Sequence, residues 1–316
     1  MQTVLVAGGA GFIGSHLCEY LLKKDFKVIC LDNFLTSEKD NISRLLENEN
    51  FTLIEKDIVS LDGDDLPLFE YLFHLASPAS PNAKSSRSYV AYPIETLLVN
   101  SQGTYNLLEA AKKYNAKFLY ASTSEIYGDP TVSPQSEDYF GNVNPNGVRA
   151  VYDEAKRFGE AITSAYVRKY DLDARIVRIF NTYGPQMRSD DGRVVSDFIT
   201  QSLGNSPITI YGDGEQTRSF CYITDMIEGL FASMFGEKTK GEVMNLGNPD
   251  EKSVKDLAEI IIKLTGTSSK IAHEPLPQDD PKKRKPDISK AKRILDWEPK
   301  VSLEEGLKKT IEYFKN

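Results

Sequence analysis

The sequence predicts an α/β protein: a doubly wound parallel sheet covered by helices on both faces, followed by a second, smaller α/β domain. Three observations lead there. Short apolar runs alternate with helically periodic stretches up to about Asn181, a glycine cluster follows the first run, and beyond Asn181 short strands mix with helices between Gly and Pro. At 316 residues the chain can bury a sizeable core and stands at the upper limit of one domain, or at two closely joined ones.

In order, Val4 to Ala7 is the first strand and Phe12 to Lys23 the helix after it. Lys27 to Leu31, Phe51 to Glu55 and Tyr71 to Leu75 are short apolar runs of the kind a strand buried on both faces requires. Ile94, Leu97, Leu98, Leu107, Leu108 and Ala111 keep helical spacing and mark a helix from Pro93 to Tyr114. Phe118 to Ser122 is the next strand, Arg149 to Tyr170 a helix, and Arg175 to Ile179 a further strand. "ITIYG" and "SFCYI" read as short strands of the second part. With no linker, repeat or low-complexity tract between the halves, the division falls at 1–180 and 181–316, with elements free to interleave.

Charge excludes some functions. Acidic residues number 46 against 38 basic, a net charge of −8, which speaks against a large nucleic-acid or anionic membrane surface. Any anionic ligand must then meet locally placed Arg and Lys. Cys18, Cys30 and Cys221 are far apart in apolar contexts and read as core filler, and His16, His74 and His273 share no ligand spacing with them, so neither disulfides nor a metal site is expected. Met1 runs straight into "TVLVAGGAGFIG" without a charged leader or membrane-length span, which implies a cytoplasmic protein.

The glycine cluster is "GGAGFIG", with Gly8, Gly11 and Gly14 spaced by three between strand and helix. Such glycines permit a tight turn and close approach of a pyrophosphate, while the helix start at Phe12 and Ile13 offers N–H groups and a positive dipole. Placed there, the triplet predicts a Rossmann-type dinucleotide site. Asp32 ends the second strand, 18 residues past Gly14, where a carboxylate accepts hydrogen bonds from a ribose and repels a 2′-phosphate; NAD is expected over NADP. Asn33 adjoins it, and Asp57 and Ile58, just past the third strand, are placed beside the adenine.

"YDEAK" sets Tyr152 and Lys156 at i and i+4 on one helix face. A tyrosine titrates near 10 on its own and serves as a base at neutral pH only with its phenolate stabilised, which a neighbouring ammonium does. The glycine turn, Asp32, Thr123 at a strand end and this pair together resemble the extended short-chain dehydrogenase/reductase superfamily over nearly the whole chain. The resemblance implies that Thr123 and Tyr152 hold a sugar hydroxyl while a hydride passes to NAD, and that Lys156 binds the nicotinamide ribose. It places "HLAS", with Leu75, Ala76 and Ser77, and Asn100 on the nicotinamide side. "RIFNTYGP", "DGRVVSDFI" and "YGDGEQTRSF" resemble its nucleoside-diphosphate-binding parts, through Asn181, Arg193, Val194, Tyr211 and Arg218. A homodimer through the helices Pro93 to Tyr114 and Arg149 to Tyr170 is likewise implied.

The end of the strand Phe118 to Ser122, "ASTSEIYGD", narrows the chemistry. Thr123-Ser124-Glu125 lacks the Thr-Asp-Glu acid of the 4,6-dehydratases, and Glu125 is out of place in 4-epimerases. The triplet is similar to the UDP-glucuronate decarboxylases, as is "QDDPKKRKPDISKAKRILDWEP", whose arginine is Arg284. This resemblance implies oxidation at C4 of UDP-glucuronate, loss of the C6 carboxylate as carbon dioxide and re-reduction to UDP-xylose, with Arg284 near C4 and C6. Two departures bear on substrate choice: Pro81 to Tyr92 is longer than the family's "SPPxYxxNP" turn, and "NGVRAVYDEAKR" replaces "IGPRACYDEGKR". Rival readings are a 4,6-dehydratase or 4-epimerase of another nucleotide sugar, a decarboxylase that releases its 4-keto pentose, and a nonenzymatic nucleotide sensor. A sensor usually loses Tyr or Lys of the pair, and both are present.

Overall fold

A computed structural model describes the chain except residues 63–64, 83–84, 277–280, 282 and 316. Parts of the Pro81 to Tyr92 segment and of "QDDPKK" therefore lie outside the described residues.

Seven parallel strands form the main sheet. They include β1 (Thr3–Ala7), β2 (Lys27–Asp32), β3 (Phe51–Glu55), β4 (Tyr71–His74), β5 (Lys117–Thr123) and β6 (Ala174–Ile179). Across the sheet the order is Val243–Leu246, β6, β5, β4, β1, β2, β3. The chain winds outward from β1 to β3, then returns to lay β4 against the other side of β1. That reversal opens a crevice at the carboxyl ends of β1 and β4, where ligands enter such sheets.

The alternation of side chains decides which helices cover which face. Val4 and Val6 pack with Leu17 and Leu21 of α1 (Phe12–Lys23), whereas Leu5 and Ala7 pack with Leu107, Leu108 and Ala111. The expected Pro93 to Tyr114 helix is not uniform. It comprises α2 (Pro93–Leu98), one π-helical turn over Val99–Gly103, and α3 (Thr104–Tyr114). The helix α4 (Ala150–Tyr170) buries Tyr152, Ala155, Lys156, Gly159, Thr163 and Tyr166, a spacing of three and four that keeps one face toward the sheet.

Beyond Ile179, Ile208–Tyr211 pairs with Ile271–Glu274, and Thr217–Ser219 lies between Glu251–Ser253 and Lys283–Arg284. The strand Val243–Leu246 instead returns to β6 in the main sheet, and one apolar cluster runs from Val4 and Leu17 to Leu257 and Leu307. The smaller part thus shares a core with the sheet, and the crevice lies between them.

Candidate active site

The glycine turn is built for close approach. Gly8 has φ of +79°, and a Cβ there would come within 2.6 Å of the Ala76 nitrogen at the end of β4. A Cβ on Gly14 would come within 2.0 Å of the Gly8 oxygen, so α1 can begin this close to β1 only without a side chain. Gly11 caps α1 with no side-chain cap bond, and the first turn carries no acid. The first-turn N–H groups, which have no intrahelical acceptor, are left for an anion. This cradle fits a dinucleotide pyrophosphate.

Asp32 is held ready beside it. One carboxylate oxygen accepts the Ala10 N–H at 2.9 Å; the other accepts the Phe34 N–H at 2.9 Å and the Ser37 hydroxyl at 2.7 Å. Asn33 donates to Asp57 at 3.0 Å, and Asp57 accepts the Val59 N–H at 2.8 Å. With Ile58, Leu75, Ala76 and Ser77 these residues line a cavity of about 160 Å³. Asn100 lines neither this cavity nor the larger one. It is buried in the π turn, donates to Ser77 Oγ and the Thr96 carbonyl, both at 2.9 Å, and accepts from the Tyr120 hydroxyl at 3.1 Å. Its reach to the cleft is through Ser77.

A cavity of about 580 Å³ joins this crevice and holds the remaining residues expected from the sequence. Its lining includes Gly8, Gly11, Phe12, Ile13 and Gly14, the set Thr123, Ser124, Glu125, Tyr152, Lys156 and Arg284, and Asn181, Arg193, Val194, Tyr211 and Arg218, so the cavity draws on both halves of the chain.

Thr123 ends β5 and caps the short turn Ser124–Tyr127, its hydroxyl accepting the Glu125 N–H at 3.2 Å. Tyr152 is buried; burial first, then the charge of Glu125, pushes its hydroxyl up to about 12, while Thr123 and Arg193 pull the other way. Lys156 donates to the Ala121 carbonyl at 2.8 Å, and its nitrogen stands 5.8 Å from the Tyr152 ring centre. Burial brings its ammonium down to about 7.

Glu125 is clamped, one oxygen by Arg149 and the other by Arg284. Burial works to raise its pKa, but the two guanidinium groups outweigh it and hold the carboxyl at about 2. The strand Lys283–Arg284 carries Arg284 beside Arg218 of Thr217–Ser219, and Arg284 also donates to the Gly128 carbonyl at 3.3 Å. Sequence reasoning missed Arg149 and Asp153. Arg149 stands at the start of α4, three residues before Tyr152, a spacing that returns it to the same face. Asp153 is buried, and burial followed by the Glu125 charge pushes it up to about 8.

Three loops meet at one carboxylate, Glu38. Glu38 pairs with Arg87 at 3.3 Å and also with Arg188, which forks onto Asp190 at 2.8 and 2.6 Å. Arg87, Arg188 and Asp190 line the larger cavity.

The family model described as GDP-mannose 4,6 dehydratase matches residues 5–310. UDP-glucuronic acid decarboxylase 1 of Xenopus tropicalis is 48% identical over 317 residues, covering 99% of this chain and 72% of that protein. UDP-glucuronic acid decarboxylase 6 of Arabidopsis thaliana is 48% identical over 308 residues, covering 96% and 86%. Among solved structures, UDP-glucuronic acid 4-epimerase from Bacillus cereus, in complex with UDP-glucuronic acid and NAD, superposes with a TM-score of 0.88 at 34% identity, covering 99% of both chains. A dTDP-glucose 4,6-dehydratase from Bacillus anthracis in complex with NAD gives 0.85 at 26% identity, covering 100% and 97%. On full-length likeness at these identities, the chain belongs to the UDP-glucuronic acid decarboxylase family of the extended short-chain dehydrogenase/reductase superfamily.

Proposed function

We propose that the protein decarboxylates UDP-glucuronate to UDP-xylose, with NAD in the crevice and no net redox change. The observation that carries this is the Glu125 carboxylate divided between Arg149 and Arg284, in the same cavity as Thr123 and Tyr152. Two guanidinium groups converge on that carboxylate, a donor-rich setting suited to a substrate carboxylate. Support also comes from identities of 48% to decarboxylases against 34% to the 4-epimerase.

Bound NAD supplies the hydride acceptor for C4 and the donor that restores it. The Tyr152 phenolate, favoured by the Lys156 ammonium, takes the C4 hydroxyl proton and becomes a neutral phenol while Thr123 orients that oxygen. The C4 ketone makes the sugar a β-keto acid, whose C5–C6 bond breaks to release carbon dioxide and send its electron pair into an enolate at C4. Arg284 stabilises that enolate. Held at about 2, Glu125 stays ionised and aims Arg284 rather than carrying protons. C5 then takes a proton from solvent water, and Tyr152 returns its own to the C4 oxygen as the hydride comes back.

Gly8, Gly11, Phe12, Ile13 and Gly14 are assigned to the pyrophosphate, Asp32 and Asn33 to the adenosine ribose, and Asp57 and Ile58 to the adenine. Leu75, Ala76, Ser77 and Lys156 are assigned to the nicotinamide side, with Asn100 behind Ser77. Asn181, Arg193, Val194, Tyr211 and Arg218 are assigned to the nucleoside diphosphate. Residues 1–180 would then bind the cofactor and 181–316 the sugar nucleotide, with Val243–Leu246 returning to the sheet.

A homodimer is proposed through α2, α3 and α4, supported by exposed Ile94, Leu98, Tyr105 and Phe158 on those helices. Among the described residues no helix is long and apolar enough to cross a membrane. All three cysteines are free and buried, as suits a reducing compartment, and the cytoplasm is proposed.

The test is incubation with UDP-glucuronate and, separately, with UDP- and dTDP-glucose, following carbon dioxide, product mass and NADH absorbance. Carbon dioxide from UDP-glucuronate alone, with UDP-xylose and no accumulated NADH, is the expected result. No carbon dioxide removes the decarboxylase reading, and stoichiometric NADH with a 4-keto pentose removes the closed cycle.

A further inference from the structure

The segment between β4 and α2 meets the ring of Tyr152 through Tyr89. Tyr89 lies flat against Tyr152, with ring centres 4.9 Å apart and ring planes inclined by 7°. We propose that Tyr89 is a positioning residue for Tyr152: its ring fixes the plane of the Tyr152 phenol and keeps water from that face. The inference rests on the assignment of Tyr152 to the C4 proton.

Tyr89 is itself held firmly. Its N–H donates to the Ser80 carbonyl at 3.1 Å, and the adjoining Ser88, also buried, donates through its hydroxyl to the Ser85 carbonyl at 3.0 Å. The Ala91 N–H returns to the Ser88 hydroxyl at 3.1 Å, and the segment runs into α2 through the Thr96 hydroxyl, which donates to the Tyr92 carbonyl at 2.7 Å. Among the described residues the buried Tyr89 hydroxyl has no hydrogen-bond partner, and the contact Tyr89 makes with Tyr152 is through the ring face.

A tyrosine in the first turn of a helix has a soft χ2 torsion, and rotation of the ring moves the plane in which its oxygen lone pairs lie. A parallel ring in contact removes that freedom and seals one face. The charged and titratable groups around the Tyr152 phenol come from several elements. They are Tyr120 on β5, Glu125 after it, Asp153 and Lys156 on α4, and Arg193 before the helix Val194–Leu203, with Arg149 and Arg284 held on Glu125. None of them replaces an apolar ring on the Tyr89 side. Without that ring, water reaches the phenol, its dominant burial effect weakens and its ionisation moves to lower pH.

The experiment compares Tyr89→Leu, Tyr89→Met and Tyr89→Phe with the wild-type enzyme on UDP-glucuronate. Leu and Met remove the ring, Met with a flexible chain that refills the space, and Phe keeps it. Affinity for NAD and circular dichroism identify the variants that fold. The expected outcome for whichever of Leu and Met folds is kcat lower by about tenfold or more with KM nearly unchanged. The acid limb of kcat shifts to lower pH, and Tyr89→Phe retains kcat and the limb. In the NAD complex without substrate, the tyrosinate absorbance removed by Tyr152→Phe should appear at lower pH in the ringless variants. Wild-type kcat and an unshifted limb in a ringless variant overturn the proposal, as does a Tyr89→Phe enzyme as impaired as Tyr89→Leu. A wild-type enzyme that releases no carbon dioxide instead overturns the functional reading on which this rests.

Discussion

At the scale of residues, the arithmetic of charge around Glu125 governs what the cavity accepts. Asp153 belongs to that arithmetic because its proton is retained up to about pH 8. Raised above its unfolded value, it loses that proton as pH rises through about 8 and puts a second negative charge beside Glu125. KM for UDP-glucuronate is therefore expected to rise above about pH 8, and Asp153→Asn should remove this limb; an unchanged KM from pH 7 to 9 in the wild type contradicts it. Arg284→Ala should spare NAD affinity, measured by calorimetry, and cut kcat on UDP-glucuronate by roughly 10²–10³, as losing a transition-state donor does. Full activity would remove Arg284 from the mechanism. Glu125 and Arg284 were legible in the sequence because each lies in a motif that resembles the family's. Arg149, Asp153 and Tyr89 were not, because their roles depend on which face of α4 meets the end of β5 and the segment after β4. An isolated Arg or Asp near a helix start is also what a solvated surface presents.

At the scale of elements, the strand-to-helix turns carry the binding. Asp32 closes β2 and fixes the following loop through Ala10, Phe34 and Ser37, so Asp32→Ala should weaken NAD by about 1–3 kcal/mol, the range for hydrogen bonds to a charged group. Unaltered affinity would mean that the carboxylate serves the loop alone. Gly14→Ala should be more severe. Its Cβ would meet backbone, not a movable side chain, so α1 must shift away from β1 and both NAD affinity and thermal stability should fall together. The apolar runs made β1 to β6 readable, since strands buried on both faces admit little else. The π turn at Val99–Gly103 was invisible, because one residue of extra winding leaves the apolar spacing of the helix on either side almost unchanged. Its purpose emerges only where Asn100 meets Ser77 and Tyr120 across the fold.

At the scale of the whole molecule, three loops meet at Glu38 beside the cleft. Its pairs with Arg87 and Arg188 are partly exposed, so each contributes at most about 1 kcal/mol and weakens with salt. Glu38→Gln, or high salt with the wild type, should raise the fraction of turnovers that leave NADH and a 4-keto pentose, read by absorbance and product mass. No change in that fraction would show that closure does not depend on the shared carboxylate. Interleaving of the two halves was expected but not which strand crosses over: Val243–Leu246 is a short run between Gly241 and Gly247, and only pairing with β6 reveals its place. That placement also sets the order in which the protein is made. A ribosome delivers β1 to β6 long before residue 246, and until then β6 is a bare apolar edge able to pair with a neighbouring nascent chain. The main sheet is therefore completed only after a strand from the second half of the chain has emerged.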